Sequence, residues 1–573
     1  MPLRLSGTGS AVLTADRLAV GVLVIVAVIA AMTFRDFGLG WDDYTHSQYG
    51  DLLLKLYASG FSDQRALSFV NLYKYGGGFD MAAALAAKVL PFDLFETRRL
   101  VGAVVGIIGL IATWRIGRRL GGPTAGLVAL VLLAACPLYY GHMFINAKDA
   151  PFAAAMAVLL LGMVRAFEEY PQPNARTVAL VGVGLGLVFG SRILAGIIAP
   201  YAFVALLFIM IGEARTADQR RSKARIAGSR QSKARAASSR ESEPQPVGLR
   251  QSLAHAGEFT WRLLPALALG YLIMGLLWPW SILAPLNPVR AAEYFDKFFE
   301  KPWREMYAGK LYAVTAMPAD YLPRLFALKL PEIMLALGFA GIVGAFVAAT
   351  KGDLPLNRRA NFILVALAAI LPIGLAIVAH PAFYNGLRHF VFVVPPFAVL
   401  GGLAGAWLFD RARAVNKVAT GAAVAAFIAA LALPMSDMVR LHPYQYTAFN
   451  RTSGGVLMAR DNYMLDYWGL AFKQAGEALR VKLDEMHLKP PRGRRWTVEI
   501  CGPQRPAEVA LGPDFETTWD RKRADFAMML GTYYCRDLTA RVLVEINREG
   551  VDYARVYDIR GRPVPKLITE PPP

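Results

Sequence analysis

Cysteine is scarce: Cys136, Cys501 and Cys535 are the only three in 573 residues. No CxxC pair and no Cys/His spacing of a zinc site occurs, which excludes a metal-stapled or disulfide-dense fold. Charge is also sparse, with Asp, Glu, Lys and Arg at 18%. Nucleotide-binding loops are missing. "YGGGFD" (75–80) lacks the Lys-Ser/Thr of a phosphate loop and reads as a turn. "GVGLGLVFG" (182–190) is no dinucleotide fingerprint; its Gly182, Gly186 and Gly190 recur every four residues, the spacing of closely packed helices.

What fills the chain is apolar. Hydrophobic residues make up 55% and mean hydropathy is +0.37. They come in blocks of about 17–25 residues, long enough to cross some 30 Å of hydrocarbon as helix. We place spans at 18–34, 100–114, 123–140, 151–167, 178–190, 193–212, 263–280, 331–349, 361–379, 390–408 and 418–435, about eleven in all. The expected fold is a polytopic α-helical membrane protein. Ser191 and Arg192 divide the long apolar run 178–212.

The formal charge of +19 would suggest nucleic acid as a partner. The basic residues instead concentrate in short loops such as "RIGRRLGG", "KGDLPLNRR" and "DRARAVNK", which is the positive-inside pattern. No nucleic acid is implied. With the N-terminus inside, parity places everything after residue 435 outside. The first apolar run also admits reading as a cleaved signal peptide; a retained helix is preferred, because polar motifs begin right behind it. The inside loop 213–262 carries a degenerate repeat, "RSKARIAGSR" then "QSKARAASSR", and reads as a disordered basic linker near lipid headgroups. The outer loop 35–99 is expected to form helices along the membrane. Residues 1–435 then constitute a membrane domain, and 436–573 a small α/β extracytoplasmic domain. In the latter, "AFKQAGEALRVKLDEM" has helical periodicity. "RWTVEIC", "ADFAMML" and "ARVLVEINREGVDYARVYDI" read as strands, the last with a turn at "REG". Cys501 and Cys535 both fall there, either as a disulfide or as two buried thiols.

Five polar clusters fall on the outside under this topology: "WDDYTH" (41–46), "GHMFINAKDAPF" (141–152), "GSR" (190–192), "HPAFYNGLRHF" (380–390) and "HPYQYTAFN" (442–450). Ionised groups at a bilayer edge are costly unless solvated or used. The carboxylates Asp42, Asp43 and Asp149 suit a general base. The cations Lys148, Arg192 and Arg388 suit a phosphate, and arginine binds one bidentately. Trp41, Tyr384 and Tyr444 can stack on a sugar ring, and His46, His389 and His442 can bond it. Each cluster has a plainer explanation: "WDD" as a solvated helix start, Asp149 as a cap with Pro151 in the first turn, "LRH" as interfacial snorkelling, "HPYQY" as a turn, and the histidines, His142 included, as hydrogen-bonded residues.

"WDDYTH" after the first span, "NAKDAPF" before a later one, "YNGLRHFVFVVPPFAVLGG", and "HPYQYTAFN" followed by "DYWG" (466–469) resemble a known group. It is the bacterial polyprenyl-phosphate-sugar-dependent glycosyltransferases of the GT-C fold, family-39-like. The group includes protein mannosyltransferases, the aminoarabinose transferase of lipid A and rhizobial galacturonosyltransferases. The resemblance covers the membrane portion and the start of the outer domain. It implies a catalytic carboxylate at Asp42 or Asp43, a second acid at Asp149, and a carrier-phosphate cation among Lys148, Arg192 and Arg388. Asp-Asp stands here where eukaryotic protein mannosyltransferases carry Asp-Glu. The implied partners are a polyprenyl-phosphate-linked sugar, an envelope acceptor and the lipid bilayer. No nucleotide is needed, and a divalent metal ion is left open. Two other classes stand beside this one: a lipid or glycan transporter or flippase, which would carry mid-span polar residues and symmetric broken helices, and a non-catalytic envelope assembly factor.

Overall fold

A computed structural model of the protein describes residues 9–192, 196–232, 247–298, 302–535 and 537–561. Among these, nine helices are long and apolar enough to cross a membrane, and a shorter apolar one spans Ala175–Phe189. The membrane part runs α1 (Gly9–Thr33), α2 (Asp43–Ala58), α3 (Gly78–Ala86), α4 (Leu94–Ala134), α5 (Pro137–Ile145), α6 (Asp149–Glu168), α7 (Ala175–Phe189), α8 (Ile198–Ser232), α9 (Val247–Leu277) and α10 (Asn287–Asp296). A two-stranded hairpin follows, β1 (Arg304–Tyr307) with β2 (Lys310–Ala313), and then α11 (Tyr321–Lys329), α12 (Glu332–Thr350), α13 (Leu356–Ala379), α14 (Val394–Val415) and α15 (Lys417–Arg440).

The difference between nine long helices and the expected eleven lies mainly in α4. This continuous assignment contains Gly122 at φ 83°, followed by Pro123. Gly117 lies against Ala125 and Gly126, a separation that a straight helix would stretch to about 12 Å. The chain therefore doubles back at Gly122, and α4 is two antiparallel segments. Counting both, and α7, recovers the expected order of crossings. Residues 178–212 are divided as anticipated, α7 ending at Phe189 and α8 starting at Ile198.

One end of the bundle gathers the basic loops. Arg118 pairs with Asp16 at 2.7 Å, Arg119 with Glu168 at 2.5 Å, and Arg358 donates to the Leu120 carbonyl at 2.8 Å. The disordered linker expected over 213–262 needs correction. Helix α8 continues to Ser232 and α9 starts at Val247; residues 233–246 lie outside the described part. Long runs of Ala, Arg, Lys and Gln have high helix propensity even without an apolar stripe.

The opposite end bears α2, α3, the β1–β2 hairpin and the C-terminal domain. That domain comprises α16 (Gly455–Ala459), α17 (Phe472–Glu485), β3 (Trp496–Cys501), α18 (Gln504–Leu511), β4 (Phe515–Thr518), β5 (Phe526–Leu530), β6 (Arg541–Arg548) and β7 (Val551–Asp558). Its sheet has the order β4-β3-β5-β7-β6; β3 is parallel to β4 and β5, and β7 is antiparallel to β5 and β6. The strands and helix read from the sequence are all present; β4, α18 and the β1–β2 hairpin were not foreseen. Cys501 and Cys535 form a disulfide with Cα atoms 5.8 Å apart.

The domain is seated by polar contacts. Tyr444 stacks on Tyr553 at 4.7 Å and donates to Gln474 at 2.7 Å. His442 meets Asp36, at the end of α1, at 2.8 Å. The Asp466 carboxylate accepts from the backbone N–H of Gly469, Leu470 and Ala471 at 2.9–3.0 Å, and also from the Tyr446 hydroxyl. This shapes the "DYWG" turn and delivers Trp468 to the membrane domain.

Candidate active site

The two adjacent acids at the head of α2 have opposite environments. Asp43 is 2% exposed. Its carboxylate accepts the Gly40 N–H at 2.7 Å and a two-pronged bond from Arg99, at 3.0 Å to Oδ1 and 2.5 Å to Oδ2. Three residues later His46 contacts Asp80 at 2.6 Å, and Asp80 also accepts from Arg98 at 2.7 Å. Asp43, His46, Asp80, Arg98 and Arg99 thus form a buried ionic lattice tying α2 and α3 to the start of α4. The carboxylate partners were not legible because Arg98 and Arg99 look like an ordinary charged helix flank, and "YGGGFD" reads as a turn although its last three residues open α3, with Asp80 buried in the first helical turn.

Asp42 escapes that lattice. Its side chain keeps 37% exposure and meets Lys148 Nζ at 3.1 Å. Burial by itself pushes its carboxyl up; Lys148 and then Arg388 outweigh that and hold it well below the usual carboxylate range. Lys148 also lies over the Tyr75 ring, 5.1 Å from its centroid.

Asn146 precedes α6. Its Oδ1 accepts the backbone N–H of Lys148 at 3.1 Å and of Asp149 at 2.8 Å. The N-cap of α6 is Lys148, without a side-chain cap bond, and the Asp149 carboxylate instead meets Arg192 at 2.9 Å and the Asn146 amide at 2.9 Å. Pro151 does occupy the first turn. His142 bonds Tyr467 at 3.1 Å and Asn146 at 3.2 Å.

Arg388 enters from the turn before α14. It is 6% exposed. Its guanidinium lies 4.7 Å from the Tyr384 ring and 4.8 Å from the Trp468 ring, and its Nε donates to His389 Nε2 at 3.2 Å. His389 in turn packs on Tyr384, ring centroids 4.7 Å apart.

The structure therefore gathers Asp42, Lys148, Asp149, Arg192, Tyr384, Arg388 and His389 at one end of the bundle. It does not gather four other candidates there. His442 and Tyr444 seat the C-terminal domain, since a turn that crosses between domains finds its partners in the interface. His46 is consumed by Asp80. Trp41 is 48% exposed, and its backbone N–H bonds the Trp468 carbonyl at 3.2 Å. Trp468 itself, quoted only as part of a motif, is the aromatic against Arg388. Among the described residues no group of three or more His, Cys, Asp or Glu side chains is arranged to hold a metal ion. Asp42 faces Lys148 and Asp149 faces Arg192.

A family model described as dolichyl-phosphate-mannose-protein mannosyltransferase matches residues 79–224, a stretch that contains Lys148, Asp149 and Arg192. Sequence comparison with curated proteins finds no match. In structure, the chain is similar to ArnT from Cupriavidus metallidurans bound to undecaprenyl phosphate: TM-score 0.45, 15% identity, covering 96% of this chain and 99% of that one. It is also similar to the oligosaccharyltransferase AglB from Archaeoglobus fulgidus in complex with an inhibitory peptide and a dolichol-phosphate: TM-score 0.44, 15% identity, 84% of this chain and 62% of that one. The third is the mycobacterial arabinofuranosyltransferase AftD: TM-score 0.41, 12% identity, 95% of this chain and 40% of that one. The chain thus spans about three fifths of the archaeal enzyme's length.

Proposed function

We propose that this chain is a membrane glycosyltransferase of the GT-C type that moves a sugar from a polyprenyl-phosphate donor to an envelope acceptor, with inversion. The observation that carries the reading is the pairing of a solvent-reaching carboxylate with cations at the ends of apolar helices: Asp42 on Lys148 at 3.1 Å, with Arg388 framed by two aromatic rings. A lipid-linked phosphate places its tail among the helices and its charge at their ends. The family match and the motif resemblance support the same class.

Asp42 serves as the base. It takes the proton of an acceptor hydroxyl while that oxygen attacks the anomeric carbon from the face opposite the phosphate, and polyprenyl phosphate leaves. Lys148 and Arg388 stabilise the charge gathering on the departing phosphate, and they are in place before the reaction, held by Asp42 and by the Tyr384 and Trp468 rings. The same cations hold the Asp42 carboxyl down before the donor arrives. A bound phosphate shares them, which lifts the Asp42 affinity for a proton toward a value useful for a base. Asp149 and Arg192 steady the second side of the site as a pair. Asp43 is structural.

The reading places the protein in a bacterial inner membrane, with the C-terminal domain in the periplasm. Basic loops collect at the far end of the bundle, and a disulfide bonds the near domain, as suits an oxidising compartment. The test compares envelope glycans and glycolipids from cells carrying the wild type, Asp42→Asn or no protein. Asp42→Asn, inserted at wild-type levels, should lack one sugar modification, as the deletion does. A folded Asp42→Asn that restores the full glycan profile would sink the proposal.

A further inference from the structure

The long outer segment between α9 and α11 contributes no candidate from sequence, yet it carries a buried acid. Glu305 on β1 is 4% exposed. Its Oε2 accepts the backbone N–H of Asn385 at 2.6 Å, and its Oε1 accepts the Tyr321 hydroxyl proton at 3.2 Å. The Tyr321 oxygen accepts the Gly386 N–H at 3.0 Å. Both N–H groups of the 385–386 turn are thereby held by one carboxylate and the tyrosine it orients. The turn needs such holding, because Asn385 (φ 56°) and Gly386 (φ 66°) are both left-handed, a costly conformation for a residue with a side chain. Arg388 follows two residues on. The flank of the same hairpin grips the turn from the other side: Trp303 packs on Tyr384 with centroids 5.0 Å apart, and the Val314 carbonyl accepts the Phe383 N–H at 2.9 Å.

We infer that Glu305 is a positioning residue for Arg388: through the Asn385–Gly386 turn, its carboxylate aims the guanidinium that takes the donor phosphate. The inference rests on the proposed role of Arg388 as phosphate clamp. An ionised carboxylate gives the Tyr321 hydroxyl an acceptor, so the hydroxyl oxygen stays turned to Gly386. A protonated carboxyl donates to Tyr321 instead and leaves the hydroxyl proton without that acceptor. Burial pushes the Glu305 carboxyl up to about 7, against the opposing effect of its hydrogen bonds and of Arg388, so the change falls in an accessible range. The groups facing Glu305 are Tyr321 and Lys329 of α11, Arg388, Tyr463 and Tyr467 of the segment before α17, and Tyr533 between β5 and β6. Of these, Lys329 also titrates near there, its amine pushed down to about 7 by burial. The polyprenyl phosphate itself gains a proton in the same region.

The test is binding of undecaprenyl phosphate to the purified full-length chain in detergent at pH 5.5 and pH 8.5. Comparing variants as ratios to wild type at each pH cancels the titration of the lipid and of Lys329. Arg388→Ala should weaken binding at least tenfold at both values. Glu305→Gln, which still accepts from Asn385 but carries no charge, should bind about three- to tenfold more weakly than wild type at pH 8.5 and equally at pH 5.5. Glu305→Ala should be weaker than Glu305→Gln at both. A Glu305→Gln ratio that is the same at the two pH values, or a Glu305→Ala that binds as wild type, overturns the positioning role while Arg388→Ala remains weak. An Arg388→Ala that binds as wild type overturns the clamp itself.

Discussion

At the scale of single residues, two neighbouring aspartates separate by environment, and their variants should separate too. Removing a general base costs about 10²–10⁴-fold in rate, so Asp42→Asn should lower kcat by that order with the donor still bound. Asp43→Asn removes one partner of a buried pair and leaves Arg99 charged without its counter-ion, a loss of about 3–5 kcal/mol. It should appear as a lowered melting temperature in detergent rather than as a change in mechanism. Arg388→Lys keeps the charge but not the planar fork or the stacking between Tyr384 and Trp468. Loss of a charged hydrogen bond of about 1.5–3 kcal/mol predicts about 10–150-fold weaker donor use. The pH profile follows with sign. Asp42 is held low and stays ionised through the neutral range. Glu305 titrates near 7 and works as the carboxylate. Donor affinity of the wild type relative to Glu305→Gln should therefore fall as pH drops through about 7. The acid motif, "NAKDAPF", "GSR" and "LRH" are visible in the sequence, but their division of labour is not. Asp42 and Asp43 are adjacent and chemically identical; the partner Arg99 sits 56 positions away, and no local pattern links them.

At the scale of elements, the four-residue glycine spacing in α7 has the packing role it suggested. A Cβ added to Gly186 would lie 2.4 Å from Ile273 Cβ of α9, and one added to Gly190 would lie 2.8 Å from Leu277 Cβ. Gly184 faces the other way, where an added Cβ would lie 2.7 Å from Leu159 Cα of α6. Helix α7 is thus clasped on both sides by close backbone approach, which is how helices associate where no water drives them together. Gly186→Leu should cost about 1–3 kcal/mol through overpacking and shift thermal aggregation to lower temperature. Gly344→Ala in α12 is the control, because a Cβ there meets nothing within 4 Å and its helix propensity improves. If both variants melt alike, close packing is not what holds α7.

At the scale of the whole molecule, the arrangement depends on which end faces out. Alkaline phosphatase fused after residue 352, in the loop between α12 and α13, should be inactive, and fused after residue 460 active. The reverse pattern would put Asp42 and its cations in the cytoplasm and remove the proposed donor from reach. The disulfide gives an independent check. Closing its loop constrains the unfolded domain by about 3–4 kcal/mol in the chain-entropy model. Thiol-reactive mass tags on the denatured protein should modify Cys501 and Cys535 only after reduction, and equal tagging without reductant would contradict an oxidising location.

The sequence by itself determined the architecture: apolar blocks of spanning length, their parity, the basic loops at one end, the polar motifs at the other, and the strand pattern of the C-terminal domain. Those are local or periodic properties, and periodicity is written in consecutive residues. Only the tertiary structure decided which polar residues come together. His442 and Tyr444 looked equal to Tyr384 and His389 in the sequence, yet they join the domain to the bundle. Glu305 belonged to no motif and Trp468 only to "DYWG", yet Glu305 bonds the turn just before Arg388 and Trp468 faces its guanidinium. The reason is that a site at the ends of many helices is assembled from contacts between distant segments. Burial decides whether each charge there is locked by a partner, as in Asp43, or left available, as in Asp42.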